Sequence, residues 1–427
     1  MTPSPARHSH VAIVGAGPVG LTLALGLARA GVQVTLIERD PAVSRQLRAS
    51  TFHPPTLDML DAWGITAELL RHGRVTPRWQ IRLHETGEHV SFDLSVLGDE
   101  TAHPYRLQCE QSVLSLALEA QLQQMPGVRL LRGHTVSSVG QDAGAAWVEV
   151  DRVDRVDRVE HASDAPHERP TAARSERIEA AYVVGCDGAH SLVRKAIGAA
   201  FEGTVYPDVT LLATTGFDFG AMWGDLDGVN YIWQDSGTYS LLHLPSIWRV
   251  SLHPVSDAPL EVEADPARID ERLRALFPGH GPFPLVEIRP YRVHKRLATR
   301  WRGRRLLIAG DAAHLNNPKG GMGMNGGIHD AMCLCEHLVR ALDGAPAEDL
   351  DGYERQRLPV IRDDIIAQAD RNHARMQIRD LAERRAALAR LQAVIDDPDR
   401  CRAYLRQTSM LEGLDKARAL ARGEATP

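Results

Sequence analysis

The sequence predicts an α/β protein: a parallel sheet of the nucleotide-binding kind, a second β-sheet domain threaded between its parts, and a helical C-terminal region. Three observations carry this reading. Residues 11–39, VAIVGAGPVGLTLALGLARAGVQVTLIER, read as strand, glycine turn, helix and strand. Two more short apolar runs, YVVG at 182–185 and LLIA at 306–309, lead into acid-bearing turns, Asp187-Gly188 and Gly310-Asp311. Around them, residues 73–104 and 201–290 alternate apolar and polar side chains, the pattern of sheets with one buried face.

Gly15, Gly17 and Gly20 give the spacing G-x-G-x-x-G where a helix should open. The first permits the tight turn, the second lets a pyrophosphate approach the backbone, and the third lets helix and strand pack closely. Pro18 stands near the helix start, where a missing N–H costs little and the free amides favour phosphate. Leu21, Leu23, Leu25 and Leu27 make the helix apolar almost all round, so it should be buried, and Gly31 ends it. Glu38, followed by Arg39, ends the second strand about 20 residues beyond the glycines, where a ribose-binding acid belongs. Its charge would repel a 2′-phosphate. The residues alone point to a Rossmann-type domain and leave FAD and NAD both open.

Composition narrows the class. The chain has 427 residues and a net charge of −6, so no basic field points to nucleic acid. Cysteines 109, 186, 333, 335 and 401 show neither zinc nor disulfide spacing. They predict reduced thiols in a cytoplasmic protein, with no metal site. No targeting segment is evident and no run of about 18 apolar residues occurs, so no transmembrane segment is expected.

Along the chain, Arg48 and His53 lie in a loop before a helix introduced by Pro54 and Pro55 and ended by Gly64. A hairpin about Gly87 follows, then YRLQCEQ and the helix SVLSLALEAQL. Residues 152–176 carry a triple Asp-Arg-Val repeat and a polar, proline-containing tail, and are expected to form a surface insertion. In 201–290, Tyr231, Trp233, Tyr239, His243, Trp248, Arg249 and His253 are candidates to face a cavity. Beside Asp311, the glycines at 320, 321, 323, 326 and 327 predict close backbone approach to something flat or phosphorylated. The expected division is 1–72, 105–200 and 291–345 for the nucleotide domain, 73–104 and 201–290 for the second domain, and 346–427 for the C-terminal helices.

Three motifs in this order, VAIVGAGPVG…IER, GCDGAHSLVR and GDAAHLNNPKGGMGMNGGIHDA, with YRLQCEQ and the RAS loop between, resemble the single-component FAD-dependent aromatic hydroxylases, the family of para-hydroxybenzoate hydroxylase. The resemblance implies that the first domain binds FAD and the second binds substrate. Gly15, Gly17, Pro18 and Gly20 would then face the pyrophosphate, and Glu38 with Arg39 the ribose. Arg48 and Gln108 match positions that hold the pyrophosphate and ribityl region, and Gly310-Asp311 the ribityl hydroxyls. Gly321, Gly323, Met324 and Asn325 would border the isoalloxazine, and Asp187 matches an acid near the cofactor and the nicotinamide approach.

The implied reaction uses NADH or NADPH as a transient donor and O2 to form a flavin hydroperoxide, which hydroxylates an electron-rich phenol or heteroaromatic shielded from water. His53, Tyr239 and His243 are the candidates to assist proton removal. Pro318 is a candidate for the substrate wall, because Asn317-Pro318 stands where the family commonly has two prolines. Rival readings are a flavin dehydrogenase or reductase, a redox sensor, and a halogenase, although SIWRV is the nearest text to the W-x-W-x-I-P signature. No room is expected for the thioredoxin-like extension of phenol hydroxylases, and a monomer or homodimer is expected.

Overall fold

The computed structural model describes residues 10–46, 48–152, 175–235, 237–254 and 258–424. The strand His10–Val14 lies inside a six-stranded sheet, paired in parallel with Gln33–Glu38 on one side and Tyr182–Gly185 on the other. Val128–Arg132 extends the sheet in parallel beyond Gln33–Glu38, and Leu306–Ile308 beyond Tyr182–Gly185; only the short Arg302–Gly303 runs antiparallel. Val11, Ala12 and Ile13 are fully buried, as a central parallel strand covered on both faces requires. The helix Pro18–Arg29 packs against the helices Gly323–Leu342 and Gln111–Leu122. That burial on several sides explains why its leucines occupy nearly every direction.

Two of the three glycines are fixed by this packing. Gly15 has φ +99°, donates its N–H to the carbonyl of Ile37 at 2.7 Å, and would place a Cβ 2.3 Å from the carbonyl oxygen of Cys186. A Cβ on Gly20 would stand 2.0 Å from the carbonyl oxygen of Gly15. Strand, turn and helix are thus pressed together backbone to backbone.

The second sheet has eight strands in the order His314–Leu315, Leu285–Ala298, Phe201–Thr215, Trp248–Leu252, Gly237–His243, Val229–Gln234, Arg78–Leu83 and His89–Asp93. All neighbours are antiparallel except Val229–Gln234 with Arg78–Leu83. The hairpin about Gly87 therefore joins a sheet made mostly of residues beyond 200. The division expected between residues 290 and 291 falls inside the continuous strand Leu285–Ala298.

One face of this sheet carries Tyr239, Leu241, Trp248 and Val250 against the amphipathic helix Pro266–Leu276, whose Ile269 and Leu273 are fully buried. The other face is covered at its Trp79 and Trp233 end by Leu381–Ile395 and Pro398–Thr408. The rest of that face looks toward the six-stranded sheet.

Residues Asp351–Met376 form one helical run in which Val360–Ile366 is π-helical, directly after Pro359. A proline that cannot donate to the preceding turn is a usual cause of such a break. Of the expected surface insertion, residues 153–174 lie outside the described residues; the strands on either side pair, with Asp151 opposite Ser175.

Because a Cβ at Gly15 meets main chain rather than a flexible side chain, Gly15→Ala should destabilise the fold by about 3 kcal/mol. The urea midpoint measures this, and an unchanged midpoint would show that the turn has slack.

Candidate active site

Five parallel strands end at the same edge, and expected nucleotide-binding residues lie at the carboxyl ends of four of them, where open α/β sheets hold their ligands. Glu38 Oε2 accepts the N–H of Ala16 at 2.8 Å and Oε1 that of Asp40 at 3.0 Å, so its carboxylate stands against the glycine turn. Pro18 is the first residue of the helix and is buried. Gly17 differs from its two neighbours. Its φ is −74° and nothing lies within 4 Å of where its Cβ would stand. Neither backbone strain nor packing explains a glycine there, whereas a pyrophosphate laid against the backbone does. Arg39 stands apart from this group: its side chain is 78% exposed and lies 3.9 Å from Asp40.

Asp187 lies past the end of Tyr182–Gly185. Its Oδ2 accepts the N–H of Leu192 at 2.6 Å, capping the next helix, while its buried Oδ1 has no partner. Burial pushes this carboxyl above the usual range. Gln108 is fully buried; its carbonyl oxygen accepts the hydroxyl of Thr51 at 3.0 Å and its amide nitrogen has no partner. Gly310, with φ +62°, turns the chain so that Asp311 faces the cavity. Although Asp311 is accessible from that side, the protein around it desolvates the carboxyl and pushes its pKa up. Two unpartnered buried polar atoms, the open side of Gly17 and the positions of Glu38 and Asp311 fit a dinucleotide bearing a polyol chain.

Between this edge and the open face of the eight-stranded sheet is a cavity of about 490 Å³. Arg48, Ser50, Asp311, Gly321, Gly323, Met324 and Pro318 line it from the nucleotide side. The helix begins at Gly323, so the amides of its first turn have no intrahelical acceptor. The side chain of Asn325 is already used. It donates to the carbonyls of Thr51 at 2.8 Å and Gly321 at 2.7 Å and accepts the N–H of His53 at 3.0 Å, clipping the loop to the helix.

None of the three residues expected to assist proton removal presents its polar group to the cavity. His53 is fully buried and outside the lining, and its Nε2–H donates to the carbonyl of Gly320 at 2.8 Å. Burial, with Arg106 adding to it, pushes its pKa down to about 3. Tyr239 and His243 are on the wrong side of their strand. The ring of Tyr239 packs with Phe277, and its hydroxyl lies 2.7 Å from Nδ1 of His84. His243 stacks on Trp248, centroids 4.0 Å apart, and burial pushes it down to about 4.

The alternate residues face the cavity instead: Thr238, Ser240 and Leu242, opposite Tyr231, Ser251 and Arg249. Of the sheet candidates, Tyr231, Tyr239, Arg249 and His253 belong to the lining, Tyr239 with its ring and hydroxyl turned to the far side of the sheet. Arg249 is also a clamp: its guanidinium donates to the carbonyl of Arg48 at 2.7 Å, to Ser50 Oγ at 2.9 Å and to Glu110 at 3.0 Å. The sequence reading missed Thr210, Arg289, Tyr291, Lys319 and His373. The period-2 pattern of Leu285–Ala298 was the available signal for Arg289, Tyr291 and Val293.

A buried network behind the wall was also missed. Asp330 accepts the N–H of Gly310 at 3.3 Å, Nε2–H of His314 at 2.6 Å and Nε–H of Arg357 at 2.8 Å. Burial opposes its charge, but His314 and Arg357 prevail and hold the carboxyl below the usual range.

The FAD binding domain family matches residues 8–367 of this sequence. The chain belongs to that family. It is 32% identical over 419 residues to para-nitrophenol 4-monooxygenase of Pseudomonas sp. (strain WBC-3), an alignment covering 96% of this chain and 97% of the relative. It is also 32% identical over 349 residues to 6-hydroxy-3-succinoylpyridine 3-monooxygenase of Pseudomonas putida, covering 81% and 84%. The crystal structure of p-nitrophenol 4-monooxygenase from Pseudomonas putida DLL-E4 superposes with a TM-score of 0.83 at 29% identity, over 95% of this chain and 97% of that one. This flavoprotein is accordingly an aromatic monooxygenase that takes FAD as cofactor and NAD(P)H as electron donor, and the reductase, halogenase and sensor readings are not favoured.

Two predictions separate ligand from packing. Gly17→Val should leave the urea midpoint of the cofactor-free flavoprotein within about 0.5 kcal/mol while stripping FAD from the purified protein; full FAD occupancy would place the pyrophosphate elsewhere. For His53, the unfolded chain takes up a proton below about pH 6.5 that the folded protein refuses until about pH 3, so stability is fullest above 6.5 and falls with acidification. His53→Gln keeps a donor for Gly320. It should flatten the unfolding free energy between pH 6.5 and 4 by up to about 1.4 kcal/mol per pH unit. An unchanged slope in urea titrations would show that His53 carries no such linkage.

Proposed function

We propose that this enzyme hydroxylates a single-ring phenol or hydroxypyridine bound as its anion, with the six-stranded sheet and its helices holding FAD and the eight-stranded sheet forming the substrate wall. One observation carries the reading. Among the described residues the cavity is lined by four cations, Arg48, Arg249, Arg289 and Lys319, and by one carboxylate, Asp311. Arg249 is paired with Glu110, and cationic side chains outnumber carboxylates among the described residues of the lining. Such a wall stabilises an ionised hydroxyl over its neutral form, and ionisation makes the ring electron-rich.

Volume supports the size class. About 490 Å³ must be shared by the three-ring head of the flavin and the substrate, which leaves room for one aromatic ring. The similar enzymes act, by name, on a nitrophenol and on a hydroxypyridine.

In this arrangement Gly15, Gly17, Pro18 and Gly20 would hold the pyrophosphate, Glu38 the ribose, Gln108 and Asp311 the linking polyol, and Gly321, Gly323 and Met324 the ring system. Bound FAD supplies the activation of dioxygen, and the protein supplies binding, orientation and shelter from water. Met324 and Leu242 border the cavity with apolar surface, which keeps water from the reacting carbon. No helix among the described residues is long and apolar enough to cross a membrane. With five free cysteines, we place the enzyme in the cytoplasm, as a monomer or homodimer.

A panel of phenols and hydroxypyridines should contain at least one compound that stimulates NAD(P)H oxidation roughly tenfold or more, about 1.4 kcal/mol of barrier. With labelled dioxygen, one labelled atom should enter the product. Label confined to peroxide or water across the panel would refute the assignment.

A further inference from the structure

Beside the main cavity lies a chamber of about 20 Å³, with Tyr231, Lys319 and Met376 lining both. It has room for one water-sized group. Its wall also includes Arg106 and Arg375 and, among the described residues, contains no aspartate or glutamate.

Arg106 is the unusual member. It is 3% exposed, its guanidinium carbon lies 5.1 Å from the centroid of the Trp79 ring, and its buried Nε–H has no acceptor. The groups that sustain its charge are the hydroxyls of Tyr231 and Tyr404. Other deeply buried arginines are served differently. Arg82, Arg249 and Arg357 each meet a carboxylate, of Asp225, Glu110 and Asp330, while Arg194 and Arg384 donate to main-chain carbonyls. An arginine does not shed its proton in such a place, and an unpaired buried charge is strongly unfavourable. A cation–π contact offsets only part of that penalty and leaves the in-plane Nε–H unserved.

We propose that this chamber is a subsite for a compact anion, in which Arg106 receives either an anionic substituent on the substrate ring or a free monovalent anion. The inference rests on reading the main cavity as the phenol site. The chamber is too small for a ring, so only the terminal atoms of a substituent enter while the ring stays over Tyr231. Lys319 stands on the wall shared with the main cavity. A ring held at a substituent is also held in rotation, which selects the carbon presented to Gly323 and Met324.

The test uses the FAD-loaded enzyme and the change in flavin absorbance on binding. The three hydroxybenzoate isomers are compared with the matching hydroxybenzamides, which have the same outline without the charge. At least one benzoate should bind tenfold or more tightly than its amide, Arg106→Met should abolish that preference, and Arg106→Lys should retain part of it. Sodium nitrate at constant ionic strength probes the other source. A nitrate response in the native enzyme that Arg106→Met removes, without any benzoate preference, assigns the chamber to a free anion. Absence of both effects, or a preference that survives Arg106→Met, overturns the proposal. If Arg106→Met does not retain FAD, Arg106→Lys must weaken the benzoate preference at least threefold for the assignment to stand. Failure of every phenol to bind would count against the substrate reading, and the nitrate arm would still decide the subsite.

Discussion

The buried carboxylate of Asp330 is the contact on which the other layers depend. It stands on the helix Gly323–Leu342, receives the main chain of the Gly310 turn, holds His314 at the edge of the eight-stranded sheet, and pairs with Arg357 from the C-terminal helical run. Four structural units meet at two oxygen atoms. Removing one partner of a buried pair generally costs about 3–5 kcal/mol, since the remaining charge is left unpaired. Here the loss would fall on the turn that aims Asp311, so fold stability and cofactor geometry share one support. Trp301 stacked on His314, and the hydroxyl of Tyr353 bonded to the carbonyl of Ile308, close the surroundings against water.

Arg249 performs a similar service between the sheets. Its guanidinium reaches across the cavity wall to the carbonyl of Arg48 and to Glu110, so the substrate face and the loop carrying Arg48 are tied at a fixed separation. Burial raises the pKa of Glu110 and lowers that of Arg249, which shows that the pair is held in a poorly hydrated place. Its value lies in geometry more than in net stabilisation.

The parts legible in the sequence were those governed by main-chain constraints. Gly15 and Gly20 are required by backbone contacts, Gly17 leaves open space beside the turn, and Glu38 stands at a strand end; all four could be read from spacing. The helices after Pro54 and Gln111 were legible for the same reason. What spacing could not supply was the side of a sheet. Alternation in Gly237–His243 distinguishes Tyr239 and His243 from Ser240 and Leu242, but which set meets the cavity depends on the helix Pro266–Leu276, which covers the first set. His53 misled because a loop histidine near a ligand and a buried one bonded to Gly320 look alike until Asn325 is seen drawing that loop onto the helix. Asp330 and Arg106 were invisible because their contacts, with His314 and Arg357 for one and with Trp79 for the other, run between elements and leave no spacing signal.

The parallel pairing of Val229–Gln234 with Arg78–Leu83, and of Tyr182–Gly185 with Leu306–Ile308, has a consequence for biosynthesis. Neither sheet is complete until strands separated by more than a hundred residues have met, so loop closure over long distances precedes most of the stabilising contacts. During synthesis the first glycine turn emerges early, yet Gly15 packs against Cys186 and its helix against Gly323–Leu342, both far downstream. The nascent chain therefore carries an apolar helix and unpaired strand edges while about three quarters of it is made, a state prone to self-association. Slow translation through the middle of the chain would lengthen that exposure, and the final helices, by covering Trp79 and Trp233, end it.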